Sequence, residues 1–128
     1  AYFGLSMGSI FGIPLLAERS RNQSNVTVAV LGLLGTTGAV AQFADRLNED
    51  ANAISCPLLY LMQLEDELFP RDGYLELFDS LGSQDKRIHA NPGLHPEIPA
   101  EEINSAIDFL SKHLEGEVPR RIINPLAE

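Results

Sequence analysis

A chain of 128 residues with a formal charge of −9 and a single cysteine is long enough for one domain with a buried core. The charge argues against a nucleic-acid surface, which wants a basic stripe, and Cys56 alone excludes an internal disulfide and multi-cysteine zinc sites. No apolar run approaches a membrane span, and no repeat or low-complexity tract is present.

The chain starts without methionine, in what reads as the last residues of a strand, so it says nothing of a signal peptide. A cytoplasmic location is the expectation. The strand runs into Gly4-Leu-Ser-Met-Gly8. Gly-x-Ser-x-Gly arises readily by chance. Its weight depends on a strand before it, a helix after it, and an acid and a histidine later in the chain.

Residues 9–19 place Ile10, Ile13, Leu16 and Ala17 at helical spacing, and Pro14 inside that pattern is expected to kink or shorten the helix. A polar break follows. It holds Asn22-Gln-Ser24 and Asn25-Val-Thr27, two glycosylation-type triplets of a kind common by chance. Residues 26–34 form a continuous β-branched and apolar run, the mark of a strand buried on both faces of a parallel sheet. Thr36 or Thr37 then caps an expected helix with Val40, Phe43, Ala44 and Leu47 on one face.

Cys56 reads as a buried small hydrophobe ahead of the strand Pro57-Leu-Leu-Tyr-Leu-Met62, which leads to the acidic turn Glu65-Asp-Glu67. A helix with Tyr74, Leu77, Phe78 and Leu81 inward should stop at Gly82. Lys86-Arg-Ile-His-Ala90 is a short strand, and residues 91–96 are a loop. The last helix has Pro99 near its first position, Glu101 and Glu102 in its first turn, and Ile103, Ala106, Ile107, Leu110 and Leu114 as its stripe. Lys112 and His113 sit at its negative end. Residues 117–128 read as an irregular extension, leaving 1–116 as the folded portion.

Strands alternating with helices imply an α/β fold with a parallel sheet and flanking helices. In such sheets chemistry collects at the carboxyl ends of the strands. Ser6, the 65–67 turn and the 91–96 loop all follow strands, so the three share one edge.

Serine, acid and histidine in that order, carried by Gly4-Leu-Ser-Met-Gly8, by residues 56–70 and by Asn91-Pro-Gly-Leu-His95, resemble the C-terminal part of an α/β-hydrolase, near the dienelactone-hydrolase and esterase branch. The resemblance covers nearly all of residues 1–115. It implies Ser6 as nucleophile, Asp66 as acid and His95 as base, with the Met7 N–H as an oxyanion donor. Glu65 and Glu67 are immediate competitors of Asp66, with solvated turn carboxylates as the ordinary reading. His89 reads as a packed or surface histidine. Members often have glycine three residues before the aspartate, where this chain has Gln63. The glycines at 4 and 8 are expected to let strand and helix pass closely.

The implied activity is a serine hydrolase cleaving a carboxylic ester or lactone through an acyl-enzyme, with no cofactor and no metal. Residues 36–55 leave no room for an inserted lid, so an open site is implied. Implied partners are the small-molecule substrate and either the N-terminal strands of the fold or a second chain along an open sheet edge, a homo-oligomer being one such arrangement. No nucleic acid or membrane partner is expected. Two other readings stand beside this one: a receiver-like or flavodoxin-like binding module, and a catalytically silent hydrolase-fold segment serving interaction or dimerisation.

Overall fold

The computed structural model describes residues 1–24 and 26–115. Along them run β1 (Tyr2–Leu5), α1 (Met7–Arg21), β2 (Ala29–Gly32), a 3-10 turn (Gly38–Phe43), α2 (Ala44–Ala53), β3 (Leu58–Gln63), α3 (Arg71–Ser80), β4 (Lys86–Asn91) and α4 (Ala100–Leu114). The strands form one parallel sheet in the order β1-β2-β3-β4, the architecture the alternation predicts. Tyr2 lies opposite Ala29, Ala29 opposite Leu58, and Leu58 opposite Lys86, so the strands start level and their carboxyl ends face one edge.

Period-two alternation divides the central strands between two cores. Ala29, Leu31, Leu58, Tyr60 and Met62 pack with Ile13 and Leu16 of α1, Leu47 of α2 and Tyr74 and Leu77 of α3. Val28, Val30, Leu59 and Leu61 turn the other way, onto Ala106 and Phe109 of α4. Each such Leu, Ile or Val contributes about 1.5–3 kcal/mol of transfer free energy. A strand buried on both faces has no place for an unpaired polar group, and before Gln63 the hydroxyl of Tyr60 donates to the Leu34 carbonyl.

Several elements differ from the pattern in the sequence. α1 runs through Pro14 to Arg21. Proline removes one helical N–H bond, but Pro14 lies on the exposed side while Ile13, Leu16 and Ala17 bury against the sheet and hold the helix across the gap. β2 is shorter than the run 26–34 because Gly32 (φ +150°) and Leu33 (φ +53°) leave the extended region. A Cβ at Gly32 would lie 2.3 Å from the Leu61 carbonyl oxygen, so β3 passes too close for any side chain there.

The helix expected after Thr36 or Thr37 is divided at Phe43. Non-helical dihedrals at Val40 reset its face, so Val40 and Leu47 are buried while Phe43 is exposed. Thr37 stands at the N-cap of the 3-10 turn without a side-chain capping bond. α4 is rotated from its expected stripe: Glu102, Ala106 and Phe109 face inward, and Ile107 and Leu114 are exposed. Glu102 goes inward because His89 and Asn91 of β4 meet its carboxylate at 2.8 and 3.1 Å. No described helix is long and apolar enough to cross a membrane. Asn25, the 116/117 boundary and the 117–128 extension lie outside the described residues.

Candidate active site

Ser6 follows the last residue of β1 and stands at the N-cap of α1 with φ +56° and ψ −113°, a region that costs a non-glycine residue on the order of 1–3 kcal/mol. A serine at this place ordinarily caps its helix. The Ser6 hydroxyl makes no capping bond and instead meets His95 Nε2 at 2.8 Å. Backbone bonds hold the turn: the Ser6 N–H donates to the Gly32 carbonyl at 2.9 Å, and the N–H groups of Ser9 and Ile10 donate to the Ser6 carbonyl. The buried Ser9 hydroxyl lies 2.8 and 2.9 Å from the carbonyls of Gly4 and Gly32 and accepts the Gly32 N–H at 2.8 Å, tying the turn to the end of β2.

Gly4 is required by close approach, since a Cβ there would come within 2.7 Å of the Gly8 carbonyl oxygen and 2.6 Å of the Tyr2 ring. Gly8 is a correction to the expectation. A Cβ at Gly8 would meet nothing within 4 Å among the described residues, because Gly8 lies on the open side of the first helical turn. Met7 is the first residue of α1, and its N–H is among those that helix geometry leaves without an intrahelical partner. The positive end of the helix dipole adds to its preference for an anion.

β4 ends in the loop that carries His95, whose Nδ1 lies 2.7 Å from Asp66 Oδ2. An ionised carboxylate only accepts, so the neutral imidazole that suits both neighbours bears its proton on Nδ1 and leaves Nε2 to accept from Ser6. Asp66 lies in the turn after β3 with its carboxylate fully buried. Burial works to raise its pKa, but donors outweigh it: the Tyr74 hydroxyl, His95, and the N–H groups of Leu68 and Phe69 together hold the carboxyl below its ordinary value. Burial, and then the bond to Asp66, push the Tyr74 hydroxyl far above its ordinary range, so it stays a proton donor. The Phe69 ring lies against both His95 and Tyr74, with centroids 5.8 and 6.4 Å away.

Ser6, Asp66 and His95 are therefore brought into one hydrogen-bonded line. His89 is not: its Nδ1 meets Glu102 at 2.8 Å. His113, near the end of α4, bonds the Phe109 carbonyl and Asp85. Glu65 and Glu67 are not merely solvated, because each accepts a backbone N–H of the histidine loop, from Gly93 and His95. Among the described residues no group of three His, Cys, Asp or Glu side chains is arranged to hold a metal ion.

No family profile matches the chain. Its structure is similar to that of a cold-adapted esterase from an Arctic intertidal metagenomic library, with a TM-score of 0.78 and 39% identity over 88% of this chain and 48% of that one. It is also similar to a monoacylglycerol lipase of Paleococcus ferrophilus (TM-score 0.67, 18% identity, 87% and 67% covered) and an enol-lactonase of Burkholderia xenovorans LB400 (0.60, 14%, 88% and 64%). These last two likenesses concern the fold alone. The chain belongs to the α/β-hydrolase superfamily. It spans about half the length of the esterase it matches at 39% identity.

Within this α/β-hydrolase fold, three supporting residues escaped the sequence reading. Ser9 is a polar residue on the apolar stripe of α1, four positions before Ile13 and seven before Leu16, and that break in the stripe was its signal. Gln63 is a polar end to an apolar strand, fully buried, and donates to the Leu94 carbonyl at 2.9 Å. Tyr74 carries no signal beyond being tyrosine on an inward face.

Proposed function

We propose that the chain carries the Ser-His-Asp machinery of a serine hydrolase acting on a carboxylic ester or lactone, near the dienelactone-hydrolase and esterase branch. Ser6 Oγ attacks the carbonyl carbon as its proton passes to His95 Nε2. Asp66 holds the imidazole in place and stabilises the imidazolium that forms. Negative charge developing on the carbonyl oxygen faces the Met7 N–H at the start of α1. The tetrahedral species collapses, the C–O bond to the alcohol breaks, and His95 returns the proton to the departing oxygen. A water then attacks the acyl-Ser6 ester, giving its proton to His95, and the acid leaves as the Ser6 hydroxyl is restored.

The observation that carries this reading is the unbroken line from the Ser6 hydroxyl through His95 to the buried Asp66 carboxylate. Support for an ester or lactone comes from the esterase similarity. Residues 36–55 hold only the 3-10 turn and α2, which supports an open site reached from solvent. We also propose that further strands complete the sheet beside β1, from the same polypeptide or a second chain. In support, β1 is an edge strand among the described residues, and the matched esterase is about twice as long. Hydrolysis of p-nitrophenyl butyrate by the protein carrying this chain tests the reading. Ser6→Ala is expected to remove turnover, by about 10⁶-fold in kcat, with the fold intact. Turnover that survives Ser6→Ala would refute it.

A further inference from the structure

The loop that carries His95 is held mainly by side chains from the turn that carries Asp66. Residues 63, 65 and 67 alternate along the chain and reach three consecutive residues of the loop. Glu65 Oε1 accepts the Gly93 N–H at 2.6 Å, Gln63 Nε2 donates to the Leu94 carbonyl at 2.9 Å, and Glu67 Oε1 accepts the His95 N–H at 2.9 Å. Backbone bonds continue the β3–β4 ladder just far enough to start the contact, from Leu64 N–H to Asn91 and from Glu65 N–H to Gly93. The Leu94 N–H goes to Glu97 at 2.7 Å. Gly93 has φ +120°, and a Cβ there would come within 2.9 Å of Glu97 Oε1 and 3.3 Å of Gln63 Nε2, so the clamp needs a bare backbone at this point. Glu65 is itself fixed by Arg71, 3.2 Å away, whose Nε donates to the Leu64 carbonyl.

We infer that Gln63, Glu65 and Glu67 are positioning residues that fix His95 through its own backbone, an inference that rests on the function proposed above. Asp66 fixes the ring, and its three alternate neighbours fix the loop that bears the ring. A connecting loop is otherwise among the more mobile parts of a fold. Proton transfer from Ser6 depends on the imidazole staying within hydrogen-bond reach, and displacement by about 1 Å can lower a rate by roughly 10²-fold. The clamp touches neither substrate nor reacting atoms, so its removal should lower kcat and leave KM unchanged.

The test compares two double variants in the protein carrying this chain. Glu65→Ala with Glu67→Ala removes both acceptors, whereas Glu65→Gln with Glu67→Gln keeps a carbonyl oxygen in each place. Both carboxylates are exposed, so neither pair should unfold the domain. With p-nitrophenyl butyrate, the Ala pair is expected to lose at least about fivefold in kcat with KM within about twofold, and the Gln pair to recover that loss. Amide exchange at Gly93 and His95, which needs no activity, is expected to quicken in the Ala pair alone. A smaller kcat loss in the Ala pair, a loss appearing in KM, or a Gln pair as slow as the Ala pair would overturn the inference. If the parent shows no Ser6-dependent turnover, the proposed function fails. Exchange then decides the clamp alone, and unchanged exchange in the Ala pair overturns it.

Discussion

Ser6 occupies a backbone conformation that serine avoids, and its hydroxyl is withheld from the helix it begins. Those two features oppose stability and together point the oxygen at His95. Asp66 shows the complementary arrangement, a buried carboxylate kept ionised by its donors. Its folded-state pKa is depressed, so its contribution to stability is present above the unfolded value of about 3.9 and is lost as pH falls through the lower folded one. Tyr74→Phe removes one of those donors and keeps the ring packed between Tyr60 and Phe69. It is expected to destabilise the protein by about 1–2 kcal/mol at pH 7 and by clearly less at a pH low enough to protonate Asp66, as measured by urea unfolding at both. An equal loss at both would show that the hydroxyl does not act through the Asp66 charge. That Ser6, Asp66 and His95 would meet at one sheet edge was legible because each follows a strand. The choice of Asp66 over Glu65 and Glu67, and of His95 over His89, came from the family resemblance. Tyr74 and Gln63 were not legible, since a buried polar side chain declares its role only through a partner distant in the chain.

At the scale of elements, the central strands β2 and β3 were legible from apolar runs, while strand ends and helix faces depended on contacts between elements. β2 ends where Gly32 lets β3 approach, and α4 turns its Glu102 inward to meet β4. Neither event leaves a periodic mark in the sequence, so residues 26–34 read as one strand and Ile107 and Leu114 read as core. Gly32 joins fold and site, because its carbonyl accepts the Ser6 N–H and its N–H goes to the Ser9 hydroxyl. Gly32→Ala would set a Cβ against the Leu61 backbone and strain a positive φ. A loss of about 3 kcal/mol is expected from the denaturation midpoint, with a fall in turnover exceeding that of an equally destabilised core variant. Wild-type stability in Gly32→Ala would show that β2 and β3 can separate there freely.

Across the whole molecule, a level parallel sheet sets its four strand ends along one edge and so gathers residues 6, 66 and 95, which follow β1, β3 and β4, from distant parts of the chain. Helices α1, α2 and α3 cover one face and α4 the other, which leaves the carboxyl edge of the sheet for chemistry. The central claim is that this edge makes Ser6 a nucleophile. A fluorophosphonate probe, applied to the protein carrying this chain and followed by peptide mass spectrometry, measures that reactivity directly. The expected result is one adduct on Ser6, absent in Ser6→Ala and slowed by at least about 10³-fold in His95→Ala, while His89→Ala labels at the parent rate. An adduct on another residue, or labelling of Ser6 that is indifferent to His95, would contradict it.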